Sequence, residues 1–204
     1  MFMEWNEENS PKHTIVRKNL NQKIWAYASD YTRLYALYTY GGFYLDTDIY
    51  LLKKLDPLSK ESCVLAYEEK GWVNNGFSAS SRGHWFMKDC MIKLSKKGHS
   101  KINPYISPEL TTNVLKDHSE QFEFIEHKTK DILILMPDSF YPYNYKEVRM
   151  HKLDDLISNL STDSYGIHLF SHSWKNSSTN YTIFERFILF YRKVITKLKI
   201  TIKR

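Results

Sequence analysis

A chain of 204 residues with 42% hydrophobic and 15% aromatic content holds enough apolar side chains for one buried core, which excludes a disordered polyelectrolyte. Its net charge of +6 favours anionic partners, but no nucleic-acid-binding motif accompanies it; phosphate-bearing small molecules and lipid headgroups are the expected partners, and nucleic acid is not. No apolar run approaches the ~18 residues that a spanning helix needs and no signal-peptide pattern opens the sequence; with Cys63 and Cys90 lacking CxxC spacing, free buried thiols and a cytoplasmic location are expected.

In chain order, Met1 to Trp5 reads as a strand and Asn6 to Lys12 as a polar loop. Residues 21–40 read as one helix, with Ile24, Tyr27, Tyr31, Leu34, Leu37 and Tyr38 on an apolar stripe. Asp30 and Arg33 lie three apart on that helix and share a face. Gly41-Gly42 ends the helix and lets the chain reverse into a short strand that stops at Asp46-Thr47-Asp48. Ile49 to Leu52 continues extended until Pro57 turns the chain, and Cys63 to Tyr67 is a second β-rich run. Residues 72–80 read as a turn into a strand, and His84 to Lys97 as an amphipathic helix. Ser107-Pro108-Glu109 is a good helix start, running to about His118. Ile132 to Met136 reads as a buried strand, Tyr141-Pro142-Tyr143 as loop, and Leu153 to Leu160 as a short helix. A last helix is expected from Thr179 to Lys199, whose apolar stripe sits among Arg186, Arg192, Lys193, Lys197 and Lys199.

The chemistry concentrates at Asp46 and Asp48. Residues i and i+2 of a strand project to the same side, so two carboxylates at a strand end can share one hard divalent cation, Mn²⁺ or Mg²⁺, together with a substrate's phosphates. Plainer readings stand beside this one. Asp46 and Asp48 can form a solvated turn, and Asp30 with Arg33 a helix-surface ion pair worth only ~0.3–0.5 kcal/mol. His168, His172 and Trp174 can be ordinary core or surface residues, and the basic C-terminal helix an ordinary solvated face.

Ser29-Asp30-x-x-Arg33, followed by Leu37-x-x-x-Gly41-Gly42-x-Tyr44-x-Asp46-x-Asp48, resembles the DXD sugar-binding region of bacterial capsular-polysaccharide and yeast mannosyltransferase-like glycosyltransferases (family 32-like). The large clostridial glucosylating toxins share the same core. The segment from Tyr165 to Trp174 is similar to the terminal H-x-x-x-G-S-W signature of that family. The resemblance implies an α/β fold of the GT-A type, a Rossmann-like mixed sheet flanked by helices, with the catalytic domain over 1–178 and a basic helix and tail over 179–204. It implies a metal-dependent, retaining transfer from a UDP- or GDP-sugar to a saccharide or lipid-linked acceptor, in surface polysaccharide synthesis. The basic C-terminal helix would then touch the inner face of a membrane.

Residue by residue, the resemblance implies Asp48 as the direct metal ligand, with Asp46 facing donor ribose and sugar or reaching the metal through water. Asp30 would hydrogen-bond sugar hydroxyls, Arg33 would brace the site, and Asn74 and Asn75 would lie beside the donor sugar. His168 is the expected third ligand, with His172 as its competitor; Ser173 and Trp174 would meet the phosphates. No carboxylate nucleophile is assignable, so front-face attack assisted by the leaving phosphate is the expected mechanism. The family's first strand, roughly I-P-K-I-I-H-x-x-W, has no counterpart ahead of Glu4-Trp5-Asn6, and with it goes one wall of the nucleotide-base site. Two alternatives follow: a sugar-nucleotide-binding relative with impaired turnover, and a phosphotransferase of the haloacid-dehalogenase type. The latter requires a threonine where Tyr50 stands.

Overall fold

A computed structural model describes residues 6, 8–97, 107–118, 127–128 and 131–171. The predicted strand at Met1–Trp5, the Thr179–Lys199 helix, His172, Ser173 and Trp174 lie outside the described residues.

Helices α1 (Thr14–Asn21) and α2 (Trp25–Tyr40) lead into strands β1 (Gly42–Leu45) and β2 (Ile49–Leu51). Strands β3 (Cys63–Glu69) and β4 (Trp72–Ser80) follow, then α3 (Trp85–Lys97) and α4 (Ser107–Asp117). The chain continues through β5 (His127–Lys128), β6 (Leu133–Leu135), α5 (Tyr145–Met150), α6 (Leu153–Ser158) and β7 (Gly166–His168). Five strands form a mixed sheet in the order β1-β4-β3-β6-β5, parallel only between β3 and β6, while β2 and β7 pair separately as an antiparallel ribbon. This is the α/β mixed sheet flanked by helices that the sequence leads one to expect.

Strand alternation divides the core in two. Cys63, Leu65, Tyr67, Val73 and Ile134 face α2, α3 and α4, meeting Leu34, Leu37, Phe86 and Leu94. Val64, Ala66, Phe77 and Leu135 face the other way, onto Leu58, Phe140 and Tyr141. That second face is covered by short 3-10 turns at Asp56–Lys60 and Pro137–Ser139. Cys63 and Cys90 are free and buried, as expected.

Two departures from the sequence reading matter for the site. The helix expected over 21–40 starts only at Trp25, and a separate helix, α1 over Thr14–Asn21, precedes it. His13 caps α1 by accepting from the Ile15 N–H, and the helix stops where Lys23 takes φ 56° and the Ile24 N–H returns to the Asn19 carbonyl. Residues 72–80 are strand throughout, not a turn into one, but the strand is bulged. Val64 pairs with Ala79 and Ala66 with Asn74, so two steps along β3 face five along β4. The extra residues reverse the alternation: Asn75 turns to the helices and Phe77 to the opposite face.

Gly41 makes the turn from α2 into β1 at φ 71°, and a Cβ there would stand 2.8 Å from the Arg82 nitrogen and 3.0 Å from the Ser80 carbonyl oxygen. Gly42 has φ 99° but nothing within 4 Å of such a Cβ. Gly41→Ala therefore adds a backbone clash to the conformational cost that both share, of order 1–3 kcal/mol. Urea unfolding should give the lower midpoint for Gly41→Ala; equal midpoints would refute the steric account.

Candidate active site

Arg33 is the hub of the site. Its guanidinium lies 3.3 Å from Asp30 Oδ1 and 3.1 Å from Asp46 Oδ1, and it donates to the Asn75 carbonyl and to Asn75 Oδ1 at 3.3 and 3.1 Å. It also donates to Ser29 Oγ and stacks over the Tyr44 ring at 4.6 Å. Tyr44 in turn donates its O–H to Asp46 Oδ1 at 2.8 Å, and Ser107, the first residue of α4, bonds Asn75 Oδ1. The Arg33 and Asp30 side chains are only 9% and 10% exposed, which overturns the reading of a solvated helix-surface pair.

Burial acts differently on the two partners. It works against the Arg33 cation, but Tyr44, Asp46 and Asp30 together hold that cation more firmly than usual. For Asp30, burial raises the pKa to about 6; Arg33 pulls it down and Asp46 pushes it up. One guanidinium is shared between two carboxylates, and burial leaves Asp30 a poorer anion than an ordinary aspartate.

On the other side of Asp46 stands a second cluster. Donor atoms of Asp46, Asp48 and His168 all lie within 4.8 Å of one another. The β2–β7 ribbon brings them together by pairing Ile49 with His168, and the Leu169 N–H donates to the Asp48 carbonyl. His168 Nε2 lies 3.3 Å from Asp48 Oδ1 and 3.9 Å from Asp46 Oδ2, and its buried Nδ1 has no partner among the described residues. Asp48 Oδ2 accepts from the backbone N–H and the hydroxyl of Ser171 at 2.9 and 3.1 Å. Partial burial raises the Asp48 pKa, but His168 and Ser171 outweigh it and bring the carboxyl down to about 2. Two carboxylates and an imidazole nitrogen converging on one point are a donor set for a divalent cation, and the residues fit such an ion.

The loop carrying Asp46 rests on the β4 bulge. The Asp46 N–H donates to the Gly76 carbonyl at 2.7 Å, and a Cβ on Gly76 would lie 2.8 Å from Asp46 Oδ2. Asn74 is turned away from Arg33: its amide donates to Glu68 at 2.8 Å, and its oxygen accepts from the Gly76 N–H. A cavity of about 340 Å³ opens on the far flank of Arg33, lined by Trp25, Ser29, Thr32 and Tyr44 among others.

Comparison with known proteins gives this geometry a lineage. Residues 2–65 match the family model described as a glycosyltransferase sugar-binding region containing a DXD motif. Residues 79–188, more than half of the chain, match the alpha 1,4-glycosyltransferase conserved region. The chain belongs to the alpha 1,4-glycosyltransferase family.

Relatives in this family include human alpha-1,4-N-acetylglucosaminyltransferase, 30% identical over 71% of this chain and 42% of its own length. Gorilla lactosylceramide 4-alpha-galactosyltransferase is 27% identical over 79% of this chain and 49% of its own. Inositol phosphoceramide mannosyltransferase 1 of Schizosaccharomyces pombe is 38% identical over 37% of this chain and 24% of its own. The chain thus spans about half the length of the first two. No solved structure matches it.

Within this alpha 1,4-glycosyltransferase family member, the structure brings together six of the expected site residues: Asp30, Arg33, Asp46, Asp48, Asn75 and His168. Asn74 stands apart, on Glu68. Sequence reasoning missed Tyr44, Ser107, Ser171 and Gly76 as parts of the site. Tyr44 lies inside the quoted motif and was within reach; Ser107 and Ser171 carry no local signal, because distant pairing alone brings them in.

The raised Asp30 pKa fixes a sign. The folded state binds the Asp30 proton more tightly than the unfolded chain, whose carboxyl titrates near 3.8. Wild-type stability relative to Asp30→Asn should therefore fall as pH rises from about 4 to about 6 and then level, a change of at most ~3 kcal/mol. Paired thermal melts of the two proteins across this range test it, and a difference independent of pH would contradict the buried-carboxylate account.

Proposed function

We propose that this protein transfers a hexose from a nucleotide-sugar donor to a saccharide or glycolipid acceptor, forming an α-linkage with retention at the anomeric carbon. The observation that carries this reading is the convergence of Asp46, Asp48 and His168 beside the buried Asp30–Arg33 pair. Membership of a family whose relatives act on lactosylceramide or make α-1,4 linkages supports the substrate class. Surface-glycan synthesis at a membrane, where the acceptor is lipid-linked, fits the same class.

Asp48 and His168 would hold the divalent ion, with Asp46 as its third ligand or its neighbour. When bound, that ion offsets the charge that develops on the leaving diphosphate. Arg33 fixes the outer oxygen of Asp46, so the carboxylate is already oriented before donor arrives. Asp30 accepts from sugar hydroxyls and Asn75, whose Nδ2 is buried without a partner among the described residues, donates to the sugar. The cavity beside Arg33 takes the nucleoside, with Trp25 and Tyr44 as its aromatic walls. Asp46, the carboxylate against Gly76, belongs to the ion's donor set, and Glu68 is engaged by the Asn74 amide, so neither serves as a nucleophile; front-face attack remains the mechanism, with the departing phosphate taking the acceptor's proton.

Release of nucleoside diphosphate from UDP- and GDP-sugars, with Mn²⁺ or with chelator, tests the assignment. One donor should be turned over in a Mn²⁺-dependent manner, and Asp48→Asn should lower that rate by about 100-fold or more. Release that persists in chelator, or that survives Asp48→Asn, would sink the metal reading. Donor binding without release from any donor would identify an impaired sugar-nucleotide-binding relative instead.

A further inference from the structure

Tyr141 enters the chain just after the 3-10 turn at Pro137–Ser139 and is 3% exposed. Its hydroxyl oxygen accepts from the Phe77 N–H at 2.9 Å, which fixes the phenol against the β4 bulge. That bond uses the oxygen and leaves the proton. Among the described residues nothing accepts the Tyr141 proton within hydrogen-bond distance.

The surroundings say where the proton is aimed. A Cβ on Gly76 would meet Asp46 Oδ2 at 2.8 Å, Tyr141 Oη at 3.1 Å and Asn74 Oδ1 at 3.3 Å. The three oxygens thus border one notch, kept open because residue 76 has no side chain, and a glycine inside a strand commonly marks such a close approach. The Tyr141 ring also packs beside His168, with centroids 5.5 Å apart. Tyr141 therefore stands on the Asp46 Oδ2–His168 flank, opposite the flank where Arg33 grips Oδ1. Two of the three oxygens are acceptors only, so Tyr141 is the border's one donor.

Resting on the transferase reading, we propose that Tyr141 is a further substrate-contacting residue, whose O–H donates to an oxygen of the sugar-bearing phosphate of the donor's diphosphate, at the Asp46–Gly76 end of the site. A buried donor lacking an acceptor is costly, and an anionic phosphate oxygen is the partner that gains most from it. Asp30 and Asn75 are on the other flank, around Arg33, where the transferase reading puts the sugar, which leaves this flank to the phosphates.

Calorimetric titration of UDP, UMP, GDP and GMP, each with Mn²⁺, into wild type and Tyr141→Phe separates the outcomes. The expected result is a loss of about 10-fold in affinity for the diphosphate that the wild type binds, with less than a two-fold change for the monophosphate of the same base. Equal losses for both nucleotides, or no loss for either, would overturn the proposal while leaving the transferase reading intact. A wild type that binds none of the four would instead overturn the transferase reading, and this proposal with it. Because Tyr141→Phe also removes the acceptor of the Phe77 N–H, 3-fluorotyrosine at position 141 provides a second variant of nearly unchanged shape. Its more acidic hydroxyl should tighten the diphosphate selectively, and an unchanged or weaker affinity would count against the proposal.

Discussion

Everything at the site depends on one buried cation. Arg33 is enclosed by two carboxylates, a phenol, an asparagine and a serine, contributed by the helix before the glycine turn, the strand after it and the bulged strand beside it. A guanidinium taken out of water is costly unless its hydrogen-bond donors are met, and truncating one partner leaves an uncompensated charge. The cation therefore demands that α2, β1 and β4 meet in one arrangement. That arrangement is also the one that holds Asp46 at the strand end, so fold and site share a single electrostatic constraint.

The bulge in β4 answers a packing problem. An unbroken strand would send Asn75 and Phe77 to the same face, either exposing the phenylalanine to the helices or losing the asparagine from Arg33. Extra residues between Asn74 and Ala79 allow Asn75 to bond Arg33 while Phe77 stacks on Phe140 at 3.7 Å. The same distortion lowers Gly76 beneath the DxD loop, where its carbonyl receives the Asp46 N–H. Register has been exchanged for a floor beneath Asp46.

What the residues alone disclosed, and what they hid, follows from range. Asp30, Arg33, Gly41, Asp46 and Asp48 lie within one short window whose periods switch from helical to extended, and local chemistry dictates their use. His168 was recognised only through its resemblance to a terminal signature, because the ribbon pairing that brings it to Asp48 leaves no trace in local spacing. The late start of α2 left no mark in the sequence: Ile24 stands in the apolar stripe, and the stop comes from Lys23, a residue with no special bias to positive φ, as the Lys23 and Ile24 N–H groups close back on the Leu20 and Asn19 carbonyls. Asn-Asn-Gly reads as a turn by composition, and in the fold it is a bulge, since β1 and β3 pair on both sides of it. Ser107, Tyr141 and Ser171 are ordinary residues in ordinary contexts until three distant segments converge.

The pairing of β2 with β7 has a temporal meaning. Asp48 and His168 are separated by 120 residues of chain (168 − 48), and they meet through a ribbon of three residue pairs. Closing so long a loop costs entropy that three pairs repay only after the main sheet already holds both ends near each other. The meeting of Asp48 with His168 is consequently a late product of folding, although the aspartates themselves lie in an early stretch of the chain.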